Sequence, residues 1–300
     1  MATVQDLKRR IRSIRNTRKI TKAMELVASA RLRRAQARIE AMRPYADRMR
    51  ELMVGTARAS SQTRQSGSLP LLQRRDVHTV AIVPLTGDRG LAGAFNAQIL
   101  RAAFALERRL RGEGKEVRWL VAGKKGRSTL AFRRYKLDQS WIGFSDRPTY
   151  LDAQAIAHAL TELYTEQEID QAVVVYNQFI SPLVQKVVEQ EILPIPEDLL
   201  EAGEEEEREQ AALQGDFIYE PEPEEILVRL LPVYVETELY RALLESAASE
   251  QGARMTAMRN ASKNAGELID TLTLAMNRAR QAEITQEILE VVAGADALSA

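Results

Sequence analysis

No glycine precedes Gly55 in this chain, and Pro44 is the only proline before Pro70. Near the other end, Val233 to about Val292 contains no proline and only Gly252 and Gly266. Long stretches without backbone breakers restrict the fold to long helices, provided the apolar residues keep a helical spacing. They do. Val4, Leu7, Ile11 and Ile14 are followed by Ile20, Met24 and Val27, and then by Ile39, Met42, Met49 and Leu52. In the distal stretch Leu239, Leu243, Met255, Met258, Ala265, Leu268, Leu272, Ala275, Met276, Ala279 and Ala282 recur at threes and fours. Such spacing lines one face of a helix. The first helix is expected from Thr3 to about Met53, on the order of 75 Å, with Pro44 bending or interrupting it. The second is expected on the order of 90 Å long, with Pro232 interrupting its start. Neither buries its stripe alone. The economical solution is an antiparallel coiled coil of the two, with a thin, Ala- and Met-rich seam.

The middle of the chain has a different period. Val77–Leu85, Glu116–Gly123 and Ala172–Phe179 are apolar, β-branched runs. Between them, Ala94–Gly114 and Leu151–Asp170 carry helical patterns. Strands alternating with helices predict βαβ units and a largely parallel sheet. The expected fold class is therefore α/β: a small Rossmann-like domain with a largely parallel sheet, flanked by a long antiparallel coiled coil of the N- and C-terminal helices. The expected division is an N-terminal coiled-coil helix over 1–58, the α/β domain over 77–195, an acidic loop over 196–225 and a C-terminal coiled-coil helix over 226–300. Residues 59–76 lose the pattern and read as a flexible connection.

A formal net charge of zero hides a strong asymmetry. Residues 1–60 carry 16 Lys or Arg against 5 Asp or Glu, whereas residues 189–225 carry 15 acidic residues against one Arg. Charge separated in this way suits different partners for different faces, or solvated surfaces of opposite sign. The absence of cysteine excludes disulfides, thiol catalysis and Cys-based zinc sites. Two histidines, His78 and His158, lie far apart and do not suggest a metal site. The start, "MATVQDLKRR", has no apolar core of a secretory signal and is no Ser- and Arg-rich import leader. The longest uncharged run, Gln171–Gln185, has 15 residues, short of the roughly 20 that a membrane-spanning helix needs.

Two glycine-containing turns follow strands. "TGDRGLAGAFN" (Thr86–Asn96) opens a helix, where backbone N–H groups can cradle phosphate. Its glycines are spaced three apart, not as G-x-G-x-x-G, and no Lys-Ser/Thr follows, so a structural turn is the stronger reading. "AGKKGRS" (Ala122–Ser128) reads as a solvated basic turn. The basic face of the first helix, Arg9, Arg10, Arg12, Arg15, Arg18, Lys19 and Lys22, suits phosphates of a nucleic acid or acidic loops of a protein, and charge does not separate these. Stacking aromatics are missing from it.

Three stretches carry a resemblance. "RIRSIRNTRKITKAMELVASARLRRAQ", "TGDRGLAGAFN" and the pair "LYRALLESAASEQGARMTAMRNASKNAGELI" and "MNRARQAEITQEILEVVAGADAL" resemble, in order along the whole chain, the γ subunit family of F-type ATP synthases. In the glycine turn many relatives have Cys where this chain has Ala92. The resemblance implies a non-catalytic central rotor, without cofactor or metal, whose terminal helices turn inside a ring of three α and three β subunits. It implies an α/β domain at the foot, with the ε subunit, on the membrane c ring, and no nucleic-acid partner. The implied location is peripheral, on the cytoplasmic face of a bacterial cell membrane. Matched by motif, Met24, Arg254, Arg280, Gln281, Thr285 and Glu290 are expected at contacts with β or in coupling, and Tyr219 and Glu220 at the foot on the c ring. Plant-type relatives have a Cys pair before "YEPEP"; its absence here excludes thiol control. The acidic block Glu201–Glu209 is expected to modulate ATP hydrolysis or the ε contact by charge.

Overall fold

The structure, a computed structural model, describes residues 3–62, 69–195 and 222–299. The chain divides into two compact units, one of Ala30–Ala253 and one of Met1–Ser29 with Arg254–Ala300. Helices α1 (Val4–Gln62) and α5 (Pro223–Ser299) contribute to both.

The larger unit is built on a five-stranded sheet in the order β3-β2-β1-β4-β5. Its strands are β1 (Thr79–Pro84), β2 (Glu116–Ala122), β3 (Gln139–Trp141), β4 (Gln171–Phe179) and β5 (Gln185–Leu193). The first four run parallel, while β5 pairs antiparallel with β4. Strand β1 is apolar from Val80 to Pro84 because both of its faces are covered there. Val80 and Ile82 face the layer of α2 (Phe95–Gly112) and α3 (Lys124–Phe132), among Ile99, Ala103 and Leu130. Ala81 and Val83 face the opposite layer, where α4 (Tyr150–Thr165) brings Ile156 and Leu160, and α1 and α5 bring Met49, Met53, Leu231, Val235 and Leu239. A capping box at Thr149 and Asp152 starts α4.

Several expectations change. Both long helices run through their prolines: α1 passes Pro44 and extends to Gln62, and α5 begins at Pro223 and passes Pro232. Each proline is bracketed by core contacts. Met42, Met49 and Met53 bury around Pro44, and Leu227, Leu231 and Val235 around Pro232. That burial outweighs one lost helical hydrogen bond. The basic turn after β2 is the first turn of α3, and β3 follows it. The run after Phe179 closes a hairpin, in which the Ser181 N–H bonds the Val184 carbonyl at 2.9 Å. Its returning strand β5 is the polar sheet edge, carrying Lys186, Glu189 and Glu191.

In the smaller unit the start of α1 and the far part of α5 form an antiparallel pair. Glu25 Oε1 accepts from Arg259 Nε at 3.1 Å, and the Arg18 guanidinium lies against Gly266, within 3.6 Å of where a Cβ would stand. Seven residues back along α1 thus meets seven residues on along α5. The seam buries Leu7, Ile11 and Ala28 against Met255, Met258, Ala265 and Ile269.

Candidate functional site

Ligands of open α/β sheets enter at the carboxyl ends of the strands, where the order reverses. Here the reversal lies between β1 and β4, and α5 lies across it. Ser246 Oγ donates to the Leu85 carbonyl at 3.3 Å, and Ser249 Oγ to the Asn177 carbonyl at 2.8 Å. Ser249, Glu250 and Gln251 are almost fully buried. The space left among Thr86, Ser145, Leu243 and Glu250 is about 10 Å3, scarcely one water.

The glycine turn serves the same packing. A Cβ at Gly87 would stand 2.8 Å from the Glu250 carboxylate. Gly123 holds φ +98, and a Cβ there would stand 1.9 Å from the Thr86 carbonyl oxygen, so it admits no side chain. The N-terminus of α3 already has its anion. Asp88 accepts from the backbone N–H groups of Lys124, Gly143 and Ser145 at 2.8, 2.9 and 3.0 Å. Burial opposes the charge of Asp88, but the N–H groups of Ser145, Gly143 and Lys124 prevail and hold its carboxyl below the usual aspartate value. The turn is a clamp between β1, α3 and the β3–α4 loop, not a phosphate cradle.

The smaller unit presents the opposite picture. Carried along both helices, the register of the Glu25–Arg259 and Arg18–Gly266 pairs sets Val4, where α1 begins, opposite Arg280. Beyond that point no described residue of α1 stands beside α5, and every residue from Arg280 to Gly294 is exposed. The apolar stripe nevertheless continues through Ile284, Ile288, Leu289, Val291 and Val292, with Val291 72% exposed. On α1, Ile20, Leu26 and Val27 also face outward. Arg9, Arg10, Arg12, Arg15, Arg18, Lys19 and Lys22 are all exposed, and Lys22 pairs with Glu25 at 3.0 Å. The Lys22 hydrogen bond, against the cost of burial and aided by Arg259, holds the Glu25 carboxyl below its usual value.

Of the residues singled out from sequence, Arg280, Gln281, Thr285 and Glu290 come together on this bare stretch. Thr285 Oγ1 donates to the Gln281 carbonyl at 2.9 Å, and Gln286 Nε2 to Glu290 Oε1 at 3.0 Å. Met24 is half-buried and Arg254 is buried; they lie at the other end of the helical pair, on the order of 40 Å along α5 from Arg280. Tyr219, Glu220 and the acidic block Glu201–Glu209 lie outside the described residues. Sequence reasoning missed Glu25 and Arg259, whose 3.1 Å bond ties the helices, because on a highly charged helix a single pair carries no distinctive signal. It also missed Ser246 and Ser249; serines within a helical run read as surface until the strand ends they cap are known. Among the described residues no helix is long and apolar enough to cross a membrane.

A family model described as ATP synthase matches residues 3–298. The chain is 46% identical to the ATP synthase gamma chain of Rubrobacter xylanophilus over 100% of both sequences. It is 45% identical to that of Moorella thermoacetica over 99% of this chain and 100% of the relative. Among solved structures it is similar to a chain of the Tetrahymena thermophila mitochondrial ATP synthase central stalk and c ring, with TM-score 0.58 and 28% identity over 81% of this chain and 99% of that one. A chain of the Euglena gracilis mitochondrial ATP synthase shares the fold at TM-score 0.69 and 17% identity, covering 98% of this chain and 94% of that one.

Proposed function

This chain belongs to the family of ATP synthase gamma chains, and from its geometry we infer that it is the central rotor of an F1 sector. The observation that carries the reading is the bare far part of α5. A helix that keeps an apolar stripe after its partner helix has ended needs other protein around it. A ring of three α and three β subunits supplies that surrounding. Arg280, Gln281, Thr285 and Glu290 then face loops of β, and Met24 and Arg254 act in coupling. Tyr219 and Glu220 meet the c ring, with ε beside them. As the shaft turns, its charged and apolar faces favour different β conformations at different angles, which is a population shift imposed mechanically. The seam of Ala28, Met255, Met258 and Ala265 gives a slender rod that interlocks little with its bearing.

The rotor carries no active site of its own. The helix-filled crevice at the ends of β1 and β4 supports this, as does the Asp88 clamp in the glycine turn. Its place is peripheral, on the cytoplasmic face of a bacterial membrane, held there through the c ring. Reconstitution tests the reading. The chain, mixed with α and β from the same source, should elute as one copy per three αβ pairs and strongly stimulate ATP hydrolysis. Failure of both would return attention to the basic face of α1 and to salt-dependent binding of nucleic acid.

A further inference from the structure

Within the larger unit, a concave groove of about 330 Å3 lies between α1, the loop before α4 and α5. Arg31, Arg34 and Arg38 enter it from α1, at spacings of three and four that place them on one helical face, and Arg147 enters from the loop. Asp146 is the carboxylate in its lining, and that charge is already engaged. It takes Arg31 Nη1 at 2.8 Å, Arg89 Nε at 3.5 Å and Gln251 Nε2 at 3.1 Å. Among the described residues, Arg34, Arg38 and Arg147 make no ion pair, although Arg38 is half-buried. Like charges one turn apart on a helix destabilise it. A half-buried guanidinium without an anion adds to that cost.

We propose that this groove is a binding site for the phosphate groups of a small ligand. Guanidinium forks match phosphate oxygens in pairs, and arginines converging from two elements surround a small anion better than they meet a flat surface. The groove has the volume of a small-ligand pocket. Arg38 also lines an adjoining pocket with Tyr45, Tyr150 and Tyr240. A phosphate on the arginines could therefore come with an aromatic group on the tyrosines, as in a nucleotide, or alone, as in pyrophosphate.

The test is calorimetric titration of the full chain with pyrophosphate, ADP and adenosine at moderate salt. Arg34→Ala/Arg147→Ala is the disrupting variant, because both side chains are exposed and make no ion pair among the described residues. Arg101→Ala on α2 is the control of equal charge change per site. Saturable pyrophosphate or ADP binding, weakened about tenfold or more in the double variant and unchanged in Arg101→Ala, is expected. Tighter binding of ADP than pyrophosphate, lost with Tyr45→Ala, would assign the ligand as nucleotide; equal binding would assign inorganic phosphate chemistry. No saturable binding of either anion, or equal weakening by Arg101→Ala, overturns the proposal. Melting temperature confirms that each variant is folded. Rotor assembly with α and β is a separate readout, so failure of one reading leaves the other standing.

Discussion

Asp88 shows how a single residue turns a sequence motif to a different use. Its carboxylate fills the anion position at the start of α3 that a phosphate would otherwise take. A depressed carboxyl contributes stability that is complete above the ordinary aspartate value, 3.8, and is lost below it as pH falls through the folded value. Asp88→Asn should therefore flatten the acid limb of a stability-against-pH curve measured by urea unfolding; an unchanged limb would place the titration elsewhere. Gly123 is the companion case. Gly123→Ala meets both a positive φ and the Thr86 carbonyl, and should cost about 3 kcal/mol or more. Denaturant midpoints would show it.

At the scale of elements, the long helices are held by what they touch and not by propensity. Pro44 is exposed and sits inside α1 between buried Met42 and Met49. Replacing it restores an amide that can bond the Glu40 carbonyl, so Pro44→Ala should stabilise by about 1–3 kcal/mol and raise the melting temperature. The seam of the antiparallel pair behaves in the opposite sense. Ala28 is 1% exposed in a close contact, and Ala28→Leu should cost about 1–3 kcal/mol by overpacking, measurable as a lower unfolding midpoint.

For the molecule as a whole, burial separates what folds the chain from what it offers to others. No residue from Arg280 to Gly294 is buried, all being exposed. Deleting residues 280–300 should leave the thermal midpoint of the isolated chain within about 2 °C of the parent, while weakening capture of α and β in size-exclusion runs. A large drop in the midpoint would show that the segment packs at home, and undiminished capture would remove it from the interface.

Helices α1, α2, α4 and α5, the strands β1, β2 and β4 and the rotor kinship were legible in the residues, whereas α3 read as a basic turn. Breaker-free runs with a period near 3.6, and β-branched runs buried on both faces, are local signals that few other structures satisfy. The edge strand β5 was not legible, because Gln185–Leu193 carries charges on an open side and takes its hydrogen bonds from β4. Whether Pro44 and Pro232 break their helices depended on buried residues to either side. The use of the glycine turn depended on Glu250 and Ser145, distant in sequence. The convergence of Arg31, Arg34 and Arg38 with Arg147 joins α1 to a loop more than a hundred residues on. Local spacing determines which elements form; which charge meets which, and whether a cleft stays open, is decided by contacts that exist only once those elements pack.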